Sequence, residues 1–208
     1  MSIARALLSA ATTPRGAPAA LVLVGVVAMA LGADYLAPQG YATQNLMQAS
    51  LPPSAEHLLG TDEFGRDLLS RIVHGARISL GIAVTSIGAS VALGLLVGAI
   101  AGYAGGWIDR ALMAVVDLTW AFPEILIALV LIAILGPGLG STAVAITVGY
   151  MAQFARLARG QIIALKGETY VEATVGLGAG HAHVLLHHLI PNALTPVLVA
   201  GMLATGDA

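Results

Sequence analysis

Five apolar stretches limit the folds that are open to this chain. They lie at residues 17–36, 78–103, 111–135, 139–154 and 190–205. A helix of about 20 apolar residues crosses the ~30 Å hydrocarbon core of a bilayer, and a backbone inside lipid must satisfy its own hydrogen bonds. Only 10% of the residues are charged, whereas soluble domains carry about 25%. We therefore predict an all-α fold, a polytopic transmembrane helix bundle.

Composition also excludes several classes of function. The formal net charge is -2, which does not favour a nucleic-acid partner. The chain has no cysteine, so it cannot form disulfides, thiolate metal sites or cysteine nucleophiles. It also lacks a Walker-type phosphate loop and the GxSxG and HExxH motifs of hydrolases. We predict neither an enzyme nor a bound cofactor or metal.

The first apolar stretch has features of both a signal peptide and a transmembrane helix. Arg5 and Arg15 precede it, as basic residues precede the apolar part of a signal peptide. Residues 34–36, Asp-Tyr-Leu, make a poor small-residue cleavage site, and the stretch is long enough to span a bilayer. We predict a retained helix that follows a short basic tail.

A polar, proline-bearing connection at 37–60 leads to a region with helical periodicity. Between residues 61 and 79, apolar side chains recur at helical spacing with charged side chains between them. This pattern predicts an amphipathic helix that lies at the membrane interface. Its charged side chains would contact lipid head groups or another protein.

The third apolar stretch contains three residues that are unusual in lipid, namely Asp117, Pro123 and Glu124. Carboxylates seven residues apart lie on one face of an α-helix. A charge at bilayer depth costs roughly 2.5 kcal/mol or more, so both should face the bundle interior or water. They would line a translocation path or bond to a neighbouring helix, and Pro123 would kink the helix.

The longest segment of the second half that cannot lie in lipid is residues 168–192, called the elbow below. Thr169 can cap a short helix there, and three glycines between 176 and 180 allow a sharp turn. A second helical piece at 182–189 leads to Pro191, which suits the start of a new helix. The four histidines of the elbow do not share one ligand face, so we predict no metal site.

Basic residues in the loops indicate the orientation in the membrane. With a cytoplasmic N-terminus, the inner segments hold six of them: Arg5, Arg15, Arg110, Arg156, Arg159 and Lys166. The outer segments hold Arg66, Arg71 and Arg77. This orientation is favoured, and it places the elbow in the cytoplasm.

The elbow carries a glutamate, an alanine and a threonine in succession, a glycine six residues after the glutamate, and a proline beyond: Glu172, Ala173, Thr174, Gly178 and Pro191. These residues resemble the EAA signature of the membrane subunits of binding-protein-dependent ABC importers. Thr174 replaces the usual third alanine, and His188 stands where the general pattern has an aliphatic residue. The resemblance implies that the elbow docks a separate ATP-hydrolysing subunit.

Other blocks are similar to the C-type permeases of dipeptide, oligopeptide and nickel importers. They are LGTDEFGRD at 59–67, Ser-Arg at 70–71, GARISL at 75–80, GGWID at 105–109, Asp117, and AFP at 121–123. The similarity runs from about residue 59 to residue 198. It implies that a set of residues before the second span forms an extracytoplasmic rim, which packs on a partner permease or meets the solute receptor. The rim residues are Asp62, Gly65, Arg66, Asp67, Arg71 and Arg77.

The resemblance also implies an architecture and a set of partners. Residues 1–60 would form the tail, the first helix and an extracytoplasmic connection, and residues 61–208 a permease core like that of type I ABC importers. The expected partners are a second permease subunit, two ATP-binding cassette subunits and an extracytoplasmic solute-binding protein, in the bacterial inner membrane. ATP-driven closure would move the elbow, and the elbow would move the spans. The solute would be a peptide or a nickel-type metal complex.

Two other functions stay open at this point. A secondary transporter or channel would use Asp117 and Glu124 as its ion path, whereas an incomplete chain would take part in assembly without transport. The stretch at 190–205 is short for a span and Asp207 follows it closely. Because the family continues through a sixth span, we expect this chain to be truncated in or after its fifth.

Overall fold

The computed structural model describes residues 13–14 and 16–206, and their regular structure is almost entirely helical. The prediction of an all-α fold is confirmed. Apart from the helices, the described residues contain one isolated antiparallel bridge between Thr61 and Asp67. The basic tail, including Arg5 and Arg15, and Asp207 lie outside the described residues. The chain divides into two compact units, Met1–Gly81 and Ile82–Ala208.

Eight helices follow one another in the described part of the chain. They are α1 (Gly16–Leu31), α2 (Ala33–Leu36), α3 (Leu68–Ala104), α4 (Gly106–Trp120), α5 (Glu124–Leu135), α6 (Leu139–Lys166), α7 (Thr169–Gly176) and α8 (His181–Ala204). A short 3-10 turn at Leu46–Gln48 interrupts the connection between α2 and α3. By length and composition, α3 and α8 can each cross a membrane, and α4 and α5 can do so as one bent pair. The apolar helix α1 has 16 residues.

In the first unit, residues 61–67 form a loop and not the predicted start of an amphipathic helix. Gly65 has a positive φ of 67°, and an added Cβ there would overlap the carbonyl oxygen of Asn45. The Thr61 hydroxyl donates to the Gln48 carbonyl at 2.5 Å and accepts from the Leu51 amide at 2.8 Å. These contacts with residues 45–51 hold the segment in a loop, although its apolar residues recur at helical spacing.

The helix that follows begins at Leu68 and continues to Ala104 without a break. The Asp67 carboxylate accepts a hydrogen bond from the Ser70 amide at 2.8 Å, which is the bond expected of an N-cap side chain. The predicted interfacial helix and second span are therefore one helix of 37 residues. No proline occurs between residues 68 and 104, so nothing removes a backbone hydrogen bond where the two stretches meet.

In the second unit, small residues bring the later part of α3 close to α6. An added Cβ at Gly94 would lie 2.6 Å from the Phe154 Cβ, and one at Gly98 would overlap the Ala155 carbonyl oxygen. Such close approach is typical of helices that pack inside membranes. A buried cluster of residues from α3, α6 and α8 forms the core of this unit: Ile87, Val91, Phe154, Ala158, Val197 and Ala204.

The predicted third span is broken in two. Helix α4 ends at Trp120, α5 begins at Glu124, and their axes differ by 90°. Pro123 stands before the first residue of α5 with an extended ψ of 131°, and it cannot donate a backbone hydrogen bond. Asp117 and Glu124 therefore lie on different helices, and the prediction that they share one helical face is wrong.

Candidate functional site

The first part of the elbow is a short helix that directly follows α6. Helix α7 has eight residues, and Glu168 precedes it in an extended conformation. Thr169 is the first helical residue, and no side chain caps this end, so the prediction that Thr169 caps the helix is wrong. The Thr174 hydroxyl donates to the Tyr170 carbonyl at 2.7 Å within the helix.

A glycine turn separates α7 from α8. Of the three glycines in this turn, Gly178 has a positive φ, at 88°, and its amide donates to the Val175 carbonyl at 2.9 Å. No atom lies within 4 Å of where a Cβ would be at Gly178. The backbone conformation, and not the available space, therefore favours glycine at this position.

Helix α8 runs continuously from the elbow into the last apolar stretch. Its turn at Val184–Leu189 is π-helical, and the α-helix continues from Ile190 to Ala204. Pro191 lies in the first turn of this α-helical part, where the sequence predicted that a helix begins, but the π-helical turn joins that part to His181 without a break. In a regular α-helix its ring would clash with the carbonyl of His187, and the wider π-helical turn ahead of it avoids that clash.

Buried contacts and hydrogen bonds hold the elbow against the neighbouring helices. Val171 is 4% exposed and packs in a cluster with Ala99, Ile162, Val184, Leu189 and Ala193. The Tyr103 hydroxyl lies 2.8 Å from Nδ1 of His181, and Lys166 Nζ donates to the Tyr103 carbonyl at 2.8 Å. The Asn192 amide donates to the Tyr170 hydroxyl at 3.3 Å. A displacement of α7 would therefore strain contacts to α3, α6 and α8.

The outer surface of the elbow combines carboxylates with exposed apolar side chains. Glu172, Ala173, Gly178 and Pro191 are exposed, and Thr174 is half-buried. Leu177 is 90% exposed at the turn, and Val175 is 53% exposed. Beside them lies a groove of about 610 Å³ whose polar lining residues include Lys166, Glu172 and His181. This surface can accept an apolar and partly charged protein partner.

The histidines of the elbow contact one another and their neighbours. The rings of His183 and His187 stack with centroids 4.5 Å apart, and His188 lies against Tyr170 at 6.4 Å. Across the described residues, no three side chains of the His, Cys, Asp or Glu type converge as metal ligands.

The two carboxylates of the third apolar stretch have different surroundings. Asp117 accepts a hydrogen bond from Arg156 Nη2 at 2.6 Å, and the Arg156 guanidinium lies 3.8 Å above the Trp120 ring. Glu124 instead lines a cavity of about 520 Å³ between α5 and α6. Asp117 is therefore an inter-helix partner, whereas Glu124 faces an open space.

A second ion pair links α4 to α6 close to the first. Arg159 donates two hydrogen bonds to the Asp109 carboxylate, at 2.5 and 2.6 Å. Two parallel bonds of this kind fix the geometry of an arginine and a carboxylate as well as their distance. The two pairs together join the start and the end of α4 to the same helix.

The rim residues form a hydrogen-bonded loop around Asp62. Its carboxylate accepts from the amides of Phe64 and Arg66 at 2.9 and 3.0 Å, and from the side chains of Arg66 and Arg71. Burial alone would raise the pKa of Asp62, but the hydrogen bonds from Arg66 and Phe64 and the charge of Arg66 lower it to about 2. Arg77 pairs instead with Asp34 at 2.9 Å.

Asp67, one of the rim residues, forms a buried pair with His57. Each is 1% exposed, and Nδ1 of His57 lies 3.1 Å from the Asp67 carboxylate. Burial alone would raise the pKa of Asp67, but hydrogen bonds from Ser70 and His57 lower it. The Ser70 hydroxyl donates to Asp67 and not to the imidazole, so these three residues lack the order of a nucleophilic triad.

Comparison with known proteins identifies the family. Residues 94–208 match the family described as binding-protein-dependent transport system inner membrane component. The chain belongs to this family. The prediction of an ABC importer permease, made from the EAA signature and the C-type blocks, is confirmed at the level of the family.

Several curated relatives are similar to this family member over most of its length. The dipeptide transport system permease protein DppC of Alkalihalophilus pseudofirmus is 37% identical over 188 residues, which are 90% of this chain and 62% of the relative. The oligopeptide transport system permease protein OppC of Bacillus subtilis is 36% identical over the same shares. The glutathione transport system permease protein GsiD of Pectobacterium atrosepticum is 37% identical over 87% of this chain and 60% of the relative. The chain thus spans about six-tenths of their lengths.

Sequence reasoning missed some exposed apolar side chains of the elbow and one ion pair between neighbouring helices. It missed Leu177 and Val175 as the exposed apolar side chains of the elbow, although two aliphatic residues flank Gly176 in an otherwise polar segment. It also missed the pairing of Asp109 with Arg159, since residues 50 positions apart give no local signal.

Proposed function

We propose that this chain is the membrane-embedded permease subunit of an ATP-driven importer for short peptides. The names of these relatives refer to dipeptide, oligopeptide and glutathione transport, and all three solutes are peptides. Nickel-type complexes stay a prediction that rests on the resemblance alone. The proposed partners are a second permease subunit, two ATP-binding cassette subunits and an extracytoplasmic solute-binding protein.

The observation that carries this proposal is the exposed face of a firmly held elbow. Glu172 and Leu177 are directed outward from a helix whose inner side chain, Val171, is buried. An ATPase subunit that contacts Glu172, Ala173, Thr174, Gly178 and Pro191 would move α7 as a rigid body. Because the Tyr103–His181 contact and the packing of Val171 against Ala99 and Ile162 join the elbow to α3 and α6, such a movement would reach the apolar helices.

The proposal includes an orientation in the bacterial inner membrane. The N-terminus and the elbow are cytoplasmic, and the rim residues Asp62, Gly65, Arg66, Asp67, Arg71 and Arg77 are extracytoplasmic. The rim would pack on the partner permease or meet the solute-binding protein. Its dense hydrogen bonding supports this role, because a preformed loop loses little entropy on binding.

The experiment is purification of the importer complex with variants of the elbow. Glu172→Ala and Leu177→Asp should each reduce the ATPase that co-purifies, and peptide import into vesicles should fall in proportion. Glu56→Ala, on an exposed part of the first unit, is the matched control. Full ATPase retention by both elbow variants would overturn the docking role.

The same experiment tests the alternative of a secondary transporter that uses Asp117 and Glu124 as an ion path. That alternative predicts transport without nucleotide and no effect of Glu172→Ala. The pairing of Asp117 with Arg156 argues against a free ion path through both carboxylates. We propose that Pro123 and Glu124 lie at the translocation path and that Asp117, whether beside that path or in the bundle interior of the complete transporter, joins α4 to α6.

A further inference from the structure

The cavity between α5 and α6 has the size and the composition of a small-molecule site. Its volume of about 520 Å³ lies within the range of about 300–1,000 Å³ that such sites occupy. Of the nine residues that line it, Glu124 is the charged one. The others are small or apolar apart from Thr142 and Tyr150.

The Glu124 carboxylate has no partner in the part of the chain that the structure describes. No hydrogen bond or ion pair of its side chain occurs there, whereas Asp117, seven residues earlier, is paired with Arg156. Glu124 is exposed at the first turn of α5, so its carboxylate is accessible to a cation that enters the cavity and can accept hydrogen bonds from it. The cavity therefore presents a single negative group to whatever enters it.

The rest of the lining distinguishes between kinds of cation. Ile125 and Ile132 from α5 and Ile146 from α6 surround the space, and the Tyr150 ring closes one part of it. A bare metal ion would need several oxygen ligands, which these side chains cannot supply. An ammonium group attached to an apolar or aromatic body would satisfy both the carboxylate and the isoleucines.

We propose that this cavity binds the amino-terminal ammonium group of a short peptide during its passage, with Glu124 as the ion-pair partner. The isoleucines then surround the first side chain of the peptide, and the cavity favours apolar residues at that position. This inference rests on the proposed function, because a peptide reaches α5 and α6 only if the chain is a peptide permease.

The test is equilibrium binding of a labelled dipeptide to the complete transporter. The chain is purified with its partner subunits, without solute-binding protein, in lipid nanodiscs. Ala-Phe is the probe, and N-acetyl-Ala-Phe, which lacks the ammonium group, is its comparison. Loss of a charge-assisted bond should weaken Ala-Phe binding to Glu124→Gln by about ten- to hundredfold. Glu124→Asp keeps the charge, so its affinity for Ala-Phe should lie between those of the wild type and Glu124→Gln.

The controls separate the charge from the shape of the cavity. N-acetyl-Ala-Phe should bind the wild-type complex and Glu124→Gln equally weakly. Ala128→Leu fills the cavity and keeps the carboxylate, so it should weaken both peptides. Glu56→Gln makes the same chemical change outside the cavity and should bind both peptides as the wild type does.

Two results would overturn the inference. One is equal binding of Ala-Phe by the wild type and Glu124→Gln. The other is dissociation of the second permease subunit from Glu124→Gln, which would make Glu124 an interface residue. Import of Ala-Phe by wild-type vesicles is measured alongside. If import requires ATP but Glu124→Gln binds Ala-Phe as the wild type does, this inference fails and the proposed function stands. If wild-type vesicles import no peptide, the proposed function fails.

Discussion

At the scale of single residues, a few positions in the first unit fix the loop that carries the rim. Gly65 approaches the Asn45 backbone so closely that a side chain does not fit, and Asp62 accepts hydrogen bonds from two amides and two arginines. Both residues belong to the LGTDEFGRD block that first suggested the C-type permeases. The structure thus gives a physical reason for two of its residues.

Replacement of Gly65 tests the close approach. We expect Gly65→Ala to destabilise the loop by more than about 1 kcal/mol, because alanine is strained at positive φ and its Cβ would also displace Asn45. Limited proteolysis of residues 37–67 in the intact complex measures this effect. Gly75→Ala, where a Cβ meets nothing within 4 Å, is the control. Equal protection of both variants would contradict the prediction.

Acid should open the same loop through Asp62. Its pKa is about 2 in the folded loop against an ordinary value of 3.8, so the carboxylate stabilises the loop fully above about pH 4. This contribution is lost as the pH falls from about 4 towards 2. The hydrogen-exchange protection factors of the amides at 60–68 should fall over that window. Asp62→Asn should reduce this dependence to the part that Asp67 contributes, whereas Glu63→Gln, at an exposed neighbour, should retain all of it.

At the scale of elements, helix packing in the second unit depends on glycines that face α6. We expect Gly98→Ala to destabilise the complex by about 1–3 kcal/mol, because the added methyl group overlaps the Ala155 carbonyl. Thermal denaturation of the purified transporter measures the change. Gly88→Ala, on the same helix with no atom within 4 Å of its Cβ, should be neutral or stabilising.

The elements also show how far the sequence could be interpreted. Apolar length predicted the existence of the helices, because burial in lipid leaves the backbone few alternatives. The helix bounds depended on features that no local sequence pattern contains. The contact of Gly65 with the Asn45 backbone keeps residues 61–67 out of the predicted helix. The π-helical turn ahead of Pro191 joins two predicted helical pieces into one helix. Elbow residues Glu172 to Gly178 were placed correctly in a short helix and turn. The sequence left open a bond from Asp117 to a neighbouring helix, but it did not identify Arg156 as the partner.

At the scale of the whole molecule, the elbow matters through its connections. Tyr103 links the end of α3 to both α6 and α8, by its carbonyl to Lys166 and by its hydroxyl to His181. These bonds join three helices at the place where we propose that the ATPase acts. Under the proposed function, the strength of these bonds therefore affects how much ATP is hydrolysed for each peptide transported.

Removal of the Tyr103 hydroxyl tests this coupling. One hydrogen bond contributes about 1 kcal/mol, so Tyr103→Phe should reduce the peptide imported per ATP hydrolysed by about fivefold, with ATPase binding intact. Tyr35→Phe, at a side chain that is 94% exposed, is the matched control. An unchanged ratio of import to hydrolysis in Tyr103→Phe would show that the Tyr103–His181 contact does not transmit movement.

The π-helical turn at Val184–Leu189 has a mechanical consequence for the helix beyond it. Such a turn holds one residue more than an α-helical turn, and each residue of an α-helix contributes about 100° of rotation and ~1.5 Å of rise. If this turn returned to α-helical geometry, the segment from Pro191 to Ala204 would rotate by about 100° about the helix axis and shift by ~1.5 Å along it. Val199, 54% exposed on that segment, would then face a new direction. A spin label there should report two orientations during the ATP cycle.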